Sequence, residues 1–194
     1  MRISRDEWAM EMAKLTATRS TCLRRHVGCV LLNCRGHVLA TGFNGVAAGQ
    51  PHCNEAKKMP VYHSDSRVID LGDSWEFGKA TFVKFPQKFL DQPGNAQCVG
   101  FDEVYPYACS GAKAPSGTNL DGCQAIHAEQ NALLQCKNVY ELDACYVTAS
   151  PCMTCTKLLL NTSCQKIIFL EEYPHTEAKK LWESAGRQWE QFSK

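Results

Sequence analysis

His127, Ala128 and Glu129 are followed by Pro151-Cys152, with Cys155 three residues beyond Cys152. One imidazole and two thiolates make a three-ligand zinc site, and a tetrahedral ion held by three protein atoms keeps its fourth position open for water. Zinc with two thiolates is formally neutral, so it activates that water less than an all-imidazole site does, and a neighbouring base matters more. Glu129, two residues from His127, is placed to face such a water rather than the metal. It is expected to take the water's proton and pass it on. Singly, these residues say little: a Cys-x-x-Cys is often a redox pair or half of a structural zinc site, and a His-x-Glu is common by chance. In this order, with proline before the first cysteine, they predict a catalytic metal centre.

Such residues need elements to bring them together. Ala144 to Ala149 reads as a buried strand ending at Ser150-Pro151. Serine caps helices and proline suits the first helical position, so a helix is expected to start there, with Cys152 and Cys155 on one face of its first turn. Its positive end favours ionised thiols. Ile126 to Gln135 reads as a second helix with His127 in its first turn. Near the start, Ser4 and Glu7 form a capping-box pattern that opens an amphipathic helix with Trp8, Met12 and Leu15 on its apolar face. Val27 to Leu32 and His37 to Thr41 read as paired strands around an Asn33–Gly36 turn, and a loop begins at Phe43. Residues 54 to 121 are rich in Gly and Pro, with one short strand expected from Lys79 to Phe85. A loop this long is expected to fold over the core and shape a site. Lys166 to Leu170 reads as a buried strand and Thr176 to Ala185 as a helix capped by Thr176.

The chain's 194 residues predict one domain, 1–194, carrying an insertion at about 54–121. A net charge of +1 and a pI near 7.5 do not indicate a cationic surface for long nucleic acids. The charged start and the absence of a long apolar run predict a cytoplasmic protein with no membrane partner. Twelve cysteines then point to reduced thiols and metal ligation rather than disulfides. Cys29, Cys136, Cys145 and Cys164 sit in apolar patterns and are expected to be buried core residues.

The two metal motifs together resemble the signature of zinc-dependent deaminases. The likeness extends further. TCLRRHVG from Thr21 to Gly28, TGFNG from Thr41 to Gly45, Pro51-His52-Cys53, HAEQN from His127 to Asn131, SPCMTC from Ser150 to Cys155, and Tyr173 recur in this order in deoxycytidylate deaminases. The chain resembles the bacterial and phage forms over its first 55 residues and after about 121, with Phe43 where the family has tyrosine. The resemblance implies the cytidine-deaminase-like fold: α/β, three layers, a central mixed sheet covered by helices on both faces. It also implies hydrolysis of dCMP to dUMP and ammonia for thymidylate synthesis, a homo-oligomer, commonly a hexamer, and regulation by dCTP and dTTP.

Under that reading, zinc is held by His127, Cys152 and Cys155. Glu129 accepts the water proton, protonates N3 of the ring and later protonates the departing amine. Arg24, Arg25 and His26 match the stretch that borders the monophosphate. Asn44 matches the loop residue near sugar and phosphate; it is equally a turn residue before Gly45. Val27 and Ala128 are expected to pack on the pyrimidine, and Tyr173 to close the pocket or serve the core. A second, structural zinc is expected on Cys22, Cys53, Cys109 and Cys123, with His52 or Cys98 as alternative ligands. The competing readings are a deaminase of dCTP, of both dCMP and dCTP, of cytidine or of a base in nucleic acid, and, from another class, a zinc-stabilised nucleotide sensor without catalysis.

Overall fold

The computed structural model describes residues 2–54, 57–63, 74–77, 80–83, 97–105, 109, 111, 114–115, 123–173 and 176–193. The chain divides into two compact units, Met1–Asn54 with Ala108–Lys194, and Glu55–Tyr107.

In the first unit, strands β1 (Gly28–Asn33) and β2 (Val38–Phe43) form the expected antiparallel pair. Asn33 turns the chain between them, its side-chain oxygen accepting from the backbone N–H of Arg35 and His37, with Gly36 at φ +81°. A short strand β3 (Gly45–Val46) follows Asn44, where an open loop was expected. In the second unit, β4 (Lys57–His63) pairs antiparallel with β7 (Gln97–Tyr105), and β5 (Ser74–Phe77) with β6 (Ala80–Val83). Strand β6 falls inside the strand expected from Lys79 to Phe85; Lys79 and residues 84–85 lie outside the described residues. The other three strands were not legible: Pro60 sits within β4, and its ladder with β7 shifts register twice. A two-stranded ribbon has only edge strands, where proline is tolerated.

Beyond the insertion come β8 (Ala125–Ile126), antiparallel to β3, then helix α2 (Ala128–Gln135) and β9 (Leu142–Ala149). Helix α3 (Met153–Leu160), β10 (Lys166–Glu171), helix α4 (Thr176–Ser184) and β11 (Gln188–Gln191) complete the chain. The central sheet runs β11-β10-β9-β1-β2. Strands β9, β10 and β11 are parallel, whereas β1 is antiparallel to both β9 and β2. This is the expected mixed sheet. Strands β1, β9 and β10 are nearly continuous apolar runs because both sheet faces are covered. One face packs Val30, Leu32, Ala144, Tyr146 and Ile168 against helix α1 (Arg5–Ala17). The other packs Cys29, Leu31, Cys145, Val147, Ile167 and Phe169 against Ala128 and Ala132 of α2, Leu159 of α3 and Trp182 of α4. Cys29, Cys145 and Cys164 are buried as expected, while Cys136 is half-buried against the same core.

The helices depart in detail from expectation. Ser4 caps α1, its hydroxyl accepting from the Glu7 N–H at 3.1 Å, but the buried face is Ala9, Met10, Ala13 and Ala17. Of the expected face, Met12 is half-buried against this core, whereas Trp8 is 38% exposed and Leu15 70%. The cause is close approach: a Cβ on Gly28 would lie 2.0 Å from the Ala13 carbonyl oxygen, so at Ala13 and Ala17 the helix backbone sits directly on β1, and Met10 fills the space beside that contact. Helix α3 begins at Met153 with Cys152 as its N-cap, two residues later than the serine and proline suggested. Ser150 is held elsewhere. Its N–H donates to the Glu171 carbonyl at 2.9 Å, and its hydroxyl accepts from the Tyr173 N–H at 2.7 Å. Thr176 is the first helical residue of α4 rather than its cap. Strand β11 escaped sequence reading because it carries one large apolar residue, Trp189, which rests on Phe169 with ring centroids 5.6 Å apart. Among the described residues no helix is long and apolar enough to cross a membrane.

Candidate active site

Two helix starts converge. His127 is the N-cap of α2 and not inside its first turn; its N–H donates to the Gln130 side-chain oxygen at 2.9 Å. Cys152 caps α3, and Cys155 lies in its first turn. The Nδ1 of His127 is 3.4 Å from each sulfur, and the three donor atoms lie within 4.8 Å of one another. Tetrahedral zinc with bonds of about 2.0–2.3 Å separates its donors by roughly 3.5 Å. The set therefore fits a metal ion in type and spacing. A hydrogen bond from the Cys155 thiol, followed by His127, holds the Cys152 thiol down at about 4 against its burial. The same bond, followed by burial, pushes Cys155 up.

Glu129 stands in the first turn of α2, buried at 3% exposure. Burial pushes its carboxyl up to about 7; the Cys152 charge adds to this, while its own backbone N–H, His127 and the Cys155 thiol oppose it. A carboxyl poised near neutrality can both accept and release a proton. Its depth is set by Gly42 on β2. A Cβ there would lie 2.3 Å from the Ala128 carbonyl and 2.4 Å from the Ala132 nitrogen, so α2 rides directly on the sheet. Asn131 also ties α2 to β2 by donating to the Phe43 carbonyl at 2.8 Å.

Arg24, Arg25, Val27, Asn44, Ala128 and Tyr173 line one cleft together with His127, Glu129 and Cys152. His26 is exposed and is not part of that lining. Asn44 is a clamp: its oxygen accepts from the Val27 N–H and its amide donates to the Arg25 carbonyl, both at 2.8 Å. Arg24 donates to the Pro115 carbonyl at 2.8 Å. Arg25 sits 5.8 Å from the Tyr173 ring centroid and 3.8 Å from the Glu171 carboxylate. Ser150 and Glu171 were missed as neighbours of the site. Their proximity to Arg25 and Tyr173 depends on the β9–β10 register, which pairs Ala149 with Glu171 and leaves no local sequence signal.

Cys22, Cys53, Cys109 and Cys123 also gather. Burial pushes the Cys53 thiol up to about 12, followed by the charges of Cys109 and Cys22. Burial also raises Cys109, but backbone hydrogen bonds at Gln124 and Gly111 and the thiols of Cys123 and Cys53 outweigh it and bring it down. Cys123 is pushed up by burial, with the Cys109 and Cys22 charges adding. Of the alternatives, His52 is exposed, 3.3 Å from the Thr21 hydroxyl, and the Cys98 side chain lies outside the described residues.

A mixed sheet between helix layers, with a His-Cys-Cys donor set at two helix starts beside a buried glutamate, defines a zinc-binding α/β class. The model of the cytidine and deoxycytidylate deaminase zinc-binding region matches residues 3–171, and the chain belongs to that family. It is 29% identical to the deoxycytidylate deaminase of Schizosaccharomyces pombe, over 98% of this chain and 45% of the relative. It is 25% identical to that of Enterobacteria phage T4, over 84% of this chain and 76% of the relative. The chain thus spans less than half the length of the fungal relative. The fold is shared with the dCMP deaminase of cyanophage S-TIM5, solved with dCMP and dUMP, at a TM-score of 0.58 and 21% identity over 99% of both chains.

Proposed function

We propose that the chain hydrolyses dCMP to dUMP and ammonia, with His127, Cys152 and Cys155 holding one zinc ion and Glu129 moving the protons. The observation that carries this is a buried carboxyl next to the three-donor cluster, inside a cleft that also holds Arg24 and Arg25. Bound zinc supplies the Lewis acidity that makes water a nucleophile at neutral pH. Glu129 takes the proton of the water that attacks C4 and gives it to N3, which makes C4 electrophilic. It then takes the remaining proton from the new C4 hydroxyl and gives it to the amino group, so the C4–N bond breaks and ammonia leaves as the C4–O bond becomes the carbonyl. Val27 and Ala128 supply small apolar walls for a flat ring. Asn44 holds the Arg25–Val27 backbone in place. Thymidylate supply, regulation by dCTP and dTTP, oligomeric assembly and a cytoplasmic site of action belong to the same reading and rest on the family likeness.

The arginines give the phosphate a role. Charge-assisted bonds to guanidinium are unavailable to a free nucleoside. Deoxycytidine is therefore expected to have a kcat/KM lower than that of dCMP by about tenfold or more, since one lost charged hydrogen bond is worth about 1.5–3 kcal/mol. Equal values for the two would remove the phosphate site from the reading.

The four-thiol cluster supports a second zinc. Cys53 and Cys109 bracket residues 55–107 in sequence, so one closed site ties both ends of that stretch to the first unit. A closed zinc site contributes folding energy directly. Metal analysis of the purified chain is expected to give two zinc ions, and one in a Cys22→Ser/Cys53→Ser variant. One zinc in fully active wild-type protein would exclude the second site.

A further inference from the structure

Arg25 is held from two directions while one donor is left over. The Glu171 carboxylate lies 3.8 Å from its Nη2, and the Tyr173 ring centroid lies 5.8 Å from its guanidinium carbon. Its Nη1 is buried and has no hydrogen-bond partner among the described residues. The arm that carries Glu171 and Tyr173 is itself fixed, because Ser150 bonds to the Glu171 carbonyl and to the Tyr173 N–H just ahead of Cys152. The backbone that carries the carboxylate therefore has a defined place relative to the metal-binding cluster. It is 64% exposed, against 30% for the Arg25 side chain, so it stands on the solvent side of the guanidinium.

We infer that Glu171 is a specificity-determining residue that restricts the cleft to nucleoside monophosphates. This rests on the reading of the cleft as a cytosine-nucleotide site. A single phosphate gains the Arg25 guanidinium, whose Nη1 has no hydrogen-bond partner among the described residues. Further phosphates extend toward solvent and meet a carboxylate of like charge, which also neutralises the outer edge of the arginine. Like charges several ångströms apart in a largely aqueous setting repel enough for an effect on the order of tenfold when two extra charges are added. The pair is solvent-exposed and worth little to the fold. Glu171 can therefore be changed without unfolding the chain.

The test is kcat/KM for dCMP and dCTP on zinc-loaded wild-type, Glu171→Gln, Glu171→Lys and Glu171→Asp proteins. Wild-type protein prefers dCMP. Glu171→Gln raises the dCTP-to-dCMP ratio on the order of tenfold, chiefly through the KM for dCTP, and the gain shrinks as salt is raised. Glu171→Lys raises it further, and Glu171→Asp retains the wild-type preference. A ratio unmoved in both the Gln and Lys variants overturns the inference. So does an equal loss on both substrates through kcat alone, which a scaffold residue would give, or a wild-type preference for dCTP. A wild-type protein that turns over dCMP with an unmoved ratio in the variants loses only the role of Glu171. One that deaminates neither nucleotide loses the deamination reading as well.

Discussion

Glu129→Gln is expected to bind zinc at wild-type stoichiometry and to fold as the wild type does, while deamination falls by on the order of 10² to 10⁴-fold. Glutamine has the shape and hydrogen-bonding reach of glutamate but cannot carry the proton. The same carboxyl is asked to carry one proton from the water to N3 and then the second from the C4 hydroxyl to the leaving amine, so no step in the sequence is spared. Stability should not suffer: Glu129 is buried, burial raises its carboxyl to about 7, and an amide removes the cost of a charge at that position. Zinc content, a thermal melt and a turnover assay on one preparation check all three points. A zinc-loaded variant deaminating at full rate would falsify the proton-carrier role.

The second large effect concerns the two glycines at which helices touch the sheet. Gly28→Ala drives a methyl to 2.0 Å from the Ala13 carbonyl of α1, and Gly42→Ala drives one to 2.3 Å from the Ala128 carbonyl of α2. Both obstacles are backbone and cannot swing aside. Overpacking of this kind costs about 1–3 kcal/mol and sometimes more. For a chain of this size each kcal/mol lowers Tm by roughly 2–4 °C. The two variants should part in function. Gly28 faces α1, on the side of the sheet away from the donor cluster, so the folded variant keeps its turnover. Gly42 sets the height of α2, which carries His127 at its cap and Glu129 in its first turn, so the folded variant loses kcat/KM too. Melting curves at the wild-type temperature for both variants would contradict the packing argument. Equal activities would contradict the division between them.

The site was more legible than the frame around it, for physical reasons. Metal ligation and proton transfer need particular residue types at particular spacings, so His127, Glu129, Cys152 and Cys155 stand out whatever surrounds them. Strands β1, β9 and β10 were legible because burial on both faces leaves long apolar runs. The face of α1 does not follow side-chain bulk, because its close contact with Gly28 falls at Ala13 and Ala17 and turns Trp8 and Leu15 outward. The start of α3 was misplaced because Ser150 had two possible uses for its hydroxyl, and the one taken, to Tyr173, depends on a strand 20 or so residues away in sequence. Glu171 was invisible for the same reason. Its meaning lies in the register between β9 and β10, which no local pattern records.

The most direct measurement of the central claim is the fate of dCMP with purified, zinc-loaded protein in isotopically labelled water. The expected result is dUMP and ammonia in equal amounts, the label appearing at O4 of the dUMP, with activity lost on chelation and restored by zinc. Folded, zinc-loaded protein that forms no dUMP from dCMP would contradict it.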